Sequence, residues 1–204
     1  MREIKPYKTL QGAKASLDNG GRFFNLLTRA GDDRITNVEL AKAAGVFLCE
    51  SHAFVFLDMS LRDLPDSQRL QVLSLLERKL AGRYQKHGPR SLSASAANLE
   101  GQPGTLAVVE GYPQFVADQV QKRMSFIMVG TVFIPIVVED HFQTYELYQG
   151  AAARGAALAL AVPRATERLE KAQVRFGGVL REFTFEGNPK KKGVFLEPLY
   201  YTKM

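Results

Sequence analysis

Glu139, Asp140 and His141 stand side by side in this chain. Carboxylates and imidazole move protons near neutral pH, and both ligate metal ions. One reading is therefore a hydrolase-like enzyme using His141 with Glu139 or Asp140. The plainer reading is a polar strand end. The other nucleophilic or imidazole groups are less suggestive. Cys49 lies in the apolar run VFLCESHAFVF with no histidine placed to activate it, which is the setting of a small core residue. His52, beside Glu50 and Ser51 in the same run, reads as structural, and His87 beside Gly88-Pro89 as an exposed loop residue. A phosphate-binding glycine loop, a nucleophile elbow and a paired-histidine metal motif are all missing from the sequence. The expectation is a non-catalytic protein that holds no cofactor.

The second group with chemistry is cationic and aromatic. Asn188-Pro189-Lys190-Lys191-Lys192-Gly193 is a basic loop, and Arg175, Arg181, Tyr145 and Tyr148 lie in the strands around it. Basic residues interleaved with aromatics suit single-stranded nucleic acid or an acidic partner, through phosphate contacts and base stacking. The same loop also fits an ordinary solvated hairpin. The net charge of +6 permits such partners without demanding them. Divided at residue 100, the chain has 15 Lys and Arg against 11 Asp and Glu, then 12 against 10. The excess thus looks spread.

At 204 residues and 46% hydrophobic, the chain can bury a real core in one or two domains. One cysteine excludes a disulfide framework, and the polar start MREIKPYKTLQG lacks the apolar core of a secretory signal. A cytoplasmic setting is expected.

Residues 1–88 read as helical. A short helix fits Leu10 to Leu17, ended by Asn19-Gly20-Gly21, and Phe23 to Leu27 gives a further helical stripe. Ala30 to Arg34 is rich in turn formers. Thr36 and Glu39 have capping-box spacing at the start of a helix that runs on through Leu64, with Gly45 as its breaking or bending point. Asp66 or Ser67 caps a third helix whose stripe is Leu70, Leu73, Leu76 and Leu80. Residues 89–105, rich in Gly, Pro, Ser and Ala, read as a linker.

The stretch from Phe23 to Leu40 resembles the helix-loop-helix of an EF-hand. With Ile35 at the eighth loop position, Thr28 falls at the first and Glu39 at the twelfth. The resemblance implies calcium held by Thr28, Asp32, Arg34, Thr36 and Glu39. Two positions depart from the pattern: Ala30 stands third, where a ligand is wanted, and Asp33 sixth, where the motif has glycine.

Residues 106–204 read as β-rich. Leu106 to Val109 is a short strand, Tyr112-Pro113 a turn, and Phe115 to Arg123 a short helix with Phe115, Val116 and Val120 inward. Ser125 to Val138, SFIMVGTVFIPIVV, is the longest apolar run. It is too short and too interrupted for a membrane span, and reads as a central strand bent near Gly130 or Pro135. Further strands follow at Phe142–Gln149, Ala157–Val162, Gln173–Glu186 and Gly193–Tyr201, with a helix at Pro163–Lys171. In the fourth strand the apolar parity switches after Gly177-Gly178, which calls for a bulge there. Five strands in this order resemble an OB-fold barrel. The expected class is α+β, a helical N-terminal part packed on a five-stranded OB-like antiparallel barrel. The resemblance implies a binding module for single-stranded nucleic acid or an acidic partner. The alternative is a structural, protein-interaction role with a vestigial calcium loop.

Overall fold

The computed structural model describes residues 1–20, 29–46, 49–129, 132–152, 154–164, 168–185 and 188–204. Among them run β1 (Arg2–Glu3), α1 (Leu10–Leu17), α2 (Asn37–Ala44), α3 (Glu50–Ser60), α4 (Asp66–Ser74), α5 (Arg78–His87), β2 (Arg90–Ser93), α6 (Ala94–Glu100), β3 (Leu106–Val129), β4 (Val132–Tyr148), β5 (Leu158–Pro163), β6 (Val174–Phe185) and β7 (Asn188–Lys203). The fold is α+β, with the helices ahead of a mixed sheet.

Local signals explain much of the helical part. The Thr9 hydroxyl accepts the Gly12 N–H at the start of α1. Thr36 and Glu39 form a complete capping box on α2, satisfying two orphan N–H groups. Gly45 ends α2 in the left-handed conformation, φ 64°, so the long helix breaks there. Helix α3 buries every residue from Ala53 to Ser60. Its Asp58 is 2% exposed and is held by Arg62 at 2.6 Å, Arg69 at 2.6 Å and the Tyr84 hydroxyl at 3.2 Å. Burial, and then the Asp58 charge, push the Tyr84 phenol up.

The expected third helix is in fact two. The Ile35 N–H donates to Leu75 O at 2.7 Å, and the Glu77 N–H to Ile35 O at 2.9 Å. This bridge interrupts the helical bonding between α4 and α5, and it leaves Leu70 66% exposed rather than on a core stripe. Pro65, not Asp66 or Ser67, occupies the N-cap of α4. The stripe at Phe23 to Leu27 lies outside the described residues.

The barrel closes as a ring, β3–β4–β5–β7–β6 and back to β3. All of its pairs are antiparallel except β5–β7, which is parallel. Inside are Val109, Tyr145, Leu147, Leu160, Val162, Phe176, Leu180 and Leu196. Strand β6 does not switch parity as expected: Val174, Phe176 and Leu180 all face the barrel core, while Val179 faces the helical layer. The register shift opposite Gly177-Gly178 lies in β7, where Leu199 is passed over between Tyr200 and Pro198.

Several expected elements differ. Ser125–Val138 is not one strand: Val129 pairs with Val132, so the chain reverses between them and the run forms the outer half of a hairpin. The expected turn at Tyr112-Pro113 and helix at Phe115–Arg123 belong to β3. The i, i+4 spacing of Val116 and Val120 imitates a helix, yet both are exposed, at 54% and 50%. A bulge between Phe115 and Ala117 carries the chain past Val116. Residues 90–100 are not extended linker but β2, parallel to β3, and α6, whose Ala94 and Ala97 pack into the barrel core. The described residues of the expected 163–171 helix are not helical. The helix packed on the barrel core thus precedes the first ring strand.

The helical part docks on the outside of the ring, where Leu106, Val108, Val179 and Tyr200 join its core. Helix α3 crosses directly over Gly177, where a Cβ would collide with Val55 and Met59. Among the described residues, no helix is long and apolar enough to cross a membrane.

Candidate functional site: a groove across the outer face of the barrel

Both long hairpins outrun the ring. From Val120↔His141 to Val129↔Val132, β3 and β4 pair only with each other. From Leu180 to Phe185, β6 pairs only with β7, and β7 from Asn188 to Val194 pairs only with β6. Strands β5 and β7 meet at just two positions, Ala159↔Phe195 and Leu160↔Leu196. Across this seam lies a groove of about 1300 Å³, to which β7 contributes Phe195 and Glu197.

Strand alternation shapes this groove. Leu158, Leu160 and Val162 point into the barrel, leaving Ala159, Ala161 and Pro163 on the outer face as a low floor. Phe142 and Thr144 of β4 wall one side, with Phe195 and Phe183 on the other. The two phenyl rings stand edge to face at 6.2 Å. The rim carries Glu139, Asp140, Glu182 and Glu197 against Arg181 and His141. Arg181 is tied to Glu197 at 2.7 Å, Lys192 to Glu182 at 2.9 Å and Lys122 to Glu139 at 2.9 Å. The lining is acidic with an apolar floor.

The residues expected to bind nucleic acid are dispersed. Tyr145 is 1% exposed inside the barrel, stacked edge-on to Phe115 at 5.6 Å. Its hydroxyl donates to Gln143 Oε1 at 2.9 Å and accepts the Leu169 N–H at 3.1 Å. Tyr148 lies at the far end of the β3–β4 ladder opposite Tyr112, its hydroxyl on Glu146, whose carboxylate holds the phenol up. Arg175 is buried and joins the two halves of the protein, bonded to Glu110 at 2.6 Å and Asp63 at 3.4 Å. A β-strand residue of a small barrel points either in or out, and the helical layer covers part of the outside. That is why these aromatic and basic side chains do not form a surface. Among the described side chains of the set, Arg181 lines the groove and Lys192 pairs with Glu182 on its rim. Lys190 and Lys191 run in β7, their side chains outside the described set.

Glu139 and His141 share a face of β4, with Nε2 and Oε2 3.8 Å apart and both side chains over 40% exposed. That distance is too long for a hydrogen bond, and Asp140 alternates to the other face. Cys49 is half-buried, its thiol 3.4 Å from the Ser51 hydroxyl.

The EF-hand-like loop is held by its own carboxylates. Glu39, 1% exposed, takes the Gly20 N–H at 2.7 Å, the Thr36 N–H at 2.9 Å and the Thr36 hydroxyl at 2.8 Å. Buried Asp18 takes the N–H groups of Gly31, Asp32 and Asp33. Asp33, at φ 57°, makes the left-handed turn in place of the motif's glycine. Asp32 accepts the Arg34 N–H at 3.2 Å, and the Arg34 side chain pairs with Glu77 at 3.0 Å. Thr28 lies outside the described residues. Among the described residues, no three His, Cys, Asp or Glu side chains gather where they could hold a metal ion. The helix-loop-helix closes on backbone N–H groups, leaving its twelfth-position carboxylate occupied.

Sequence reasoning missed the groove itself. The available signal was the alternation of Leu158, Leu160 and Val162 with Ala159 and Ala161, which marks a strand whose outer face is shallow. No protein-family model matches the chain, and no curated protein matches it.

Proposed function

We propose that this protein is a non-catalytic interaction module, cytoplasmic, whose barrel groove receives an extended basic segment of a partner polypeptide. The observation that carries this reading is the acidic, apolar-floored groove across the outer faces of β4, β5, β6 and β7, at a seam where β5 and β7 pair only at Ala159↔Phe195 and Leu160↔Leu196. An extended peptide lying in this groove sets alternate side chains on the Ala159–Ala161 floor and the others toward the rim carboxylates. Lysines or arginines on the segment would replace Lys122 and Lys192 as counter-ions of Glu139 and Glu182. Exposed pairs of that kind contribute only about 0–1 kcal/mol, so exchange is inexpensive. Four carboxylates on the rim disfavour a phosphodiester chain in the same place.

The test is fluorescence anisotropy with a labelled octapeptide of alternating lysine and valine, a glutamate–valine control and a thymidine oligonucleotide. The lysine peptide is expected to bind, and Ala161→Trp, which fills the floor, to abolish binding while the far-ultraviolet circular dichroism is unchanged. Equal binding of the acidic peptide, or retained binding in Ala161→Trp, would refute the groove as its site.

A further inference from the structure

Residues 78–90, RKLAGRYQKHGPR, contain five of the 27 Lys and Arg and no Asp or Glu, and no acid occurs between Glu77 and Glu100. Outside this segment, 22 cations face 21 anions. Most of the net charge of +6 therefore resides on α5 and the start of β2, while residues 106–204 carry 12 cations against 10 anions. At 100° per residue, Arg78, Gly82, Lys86, Lys79 and Arg83 fall within a 140° arc of α5. All five are exposed, while Leu80 on the opposite side is fully buried. Of the cations here, only Arg83 has an ion-pair partner among the described residues, Glu50 at 3.2 Å.

A second observation sits inside the stripe. Gly82 is a helix-interior glycine, the residue that weakens a helix most after proline. A Cβ there would meet nothing within 4 Å, so packing does not require glycine. Arg78, Lys79 and Arg83 surround it and line a hollow of about 530 Å³. A helix face bare of side chain at the centre of a cationic ring lets a ligand's backbone approach closely.

We infer that this face of α5 binds the phosphodiester backbone of a nucleic acid. The stripe rises about 12 Å from Arg78 to Lys86, which spans roughly three to four phosphates of one strand. Two of its cations are arginines, whose planar fork matches phosphate oxygens. A lipid surface is the poorer fit. The apolar side of α5 (Leu80, Ala81 and Tyr84) is packed into the protein core and has nothing to insert. Contact through the backbone alone makes binding indifferent to sequence and steep in salt.

The experiment is anisotropy of labelled single- and double-stranded oligonucleotides with the full chain from 50 to 200 mM salt. About four phosphate contacts give a log–log slope near −3.6 for duplex, a loss of roughly 100-fold across that range. The variant Arg78→Gln/Lys79→Gln/Lys86→Gln is expected to bring the slope to about −1. Gly82→Gln is expected to raise the melting temperature yet weaken binding, which a merely decorative glycine would not do. The inference is overturned by absence of binding at 50 mM salt, by a triple variant with an unchanged slope, or by polyglutamate or phosphatidylserine vesicles binding as tightly as the oligonucleotides. Ala161→Trp leaves this binding intact, so failure here and failure of the groove reading are separate results.

Discussion

Gly177 is where the helical part and the barrel come closest, and its replacement by alanine tests that contact quantitatively. A Cβ at Gly177 would lie far inside van der Waals distance of Met59 Sδ and 2.5 Å from Val55 Cγ1. Both atoms must retreat by about 1 Å or more to reach ordinary contact near 3.5 Å. Overpacking of this kind costs about 1–3 kcal/mol. Restricting the unfolded chain by replacing glycine returns about 0.4–1 kcal/mol. The net loss is about 1–2 kcal/mol, which in a chain of this size lowers the melting temperature by roughly 2–8 °C. Met59→Ala alone costs about 2–5 kcal/mol because it empties a fully buried site. The double variant Gly177→Ala/Met59→Ala should be less damaged than the sum by about 1–2 kcal/mol, within the range seen for touching residues. Gly178→Ala is the control. Its Cβ would strike Glu197 O and lie 2.8 Å from Pro198 Cα, and main chain cannot swing aside as a thioether does. Its cost is expected at about 3 kcal/mol or more, and Met59→Ala should leave it unchanged. Urea unfolding of the three single and two double variants reads these values. A neutral Gly177→Ala, or a penalty undiminished without the Met59 side chain, would refute the packing argument.

Two further outcomes follow from the charges. Burial holds the His52 imidazole below its ordinary value, against a smaller opposing pull from Glu197. The folded state thus binds the proton less well than the unfolded one, so His52 contributes stability above pH 6.5 that is lost as pH falls through the lowered folded value. Thermal melts between pH 7 and 5 should show a decline that His52→Gln flattens. In the EF-hand-like loop, Glu39→Gln keeps the shape but weakens the bonds to the Gly20 and Thr36 N–H groups. It should cost about 1–2 kcal/mol in urea unfolding, and the wild-type melting temperature should be the same in calcium as in chelator.

What the chain determined locally, it determined through short-range chemistry. Thr36 and Glu39 are three residues apart and cap α2 wherever the helix lies. Gly45 ends it because glycine enters the left-handed region without strain. The alternation around Tyr145 and Leu147 set which residues of β4 face inward, whereas the parity switch expected at Gly177-Gly178 is absent because Val179 is buried by the helical layer outside the ring. The ring parts of β4, β5, β6 and β7 were legible from such patterns, but β3 was not: its residues have the patterns of a short strand, a turn, a helix and part of a central strand. Tertiary structure decided whatever depends on a distant partner. Ser125–Val138 is one apolar string, and only the antiparallel pairing Val129↔Val132 divides it into two strands. Val116 and Val120 have helical spacing, but the register with β4 holds them extended. Arg175 resembles a surface cation until Glu110 and Asp63 enclose it from 65 and 112 residues away. The groove is acidic because Glu139, Glu182 and Glu197 converge from three strands. The charge on α5 is visible in the chain, but its single exposed face exists only because Leu80 found a core. A strand's pairing energy and a charge's environment are set by neighbours remote in sequence. No periodicity within the segment encodes them.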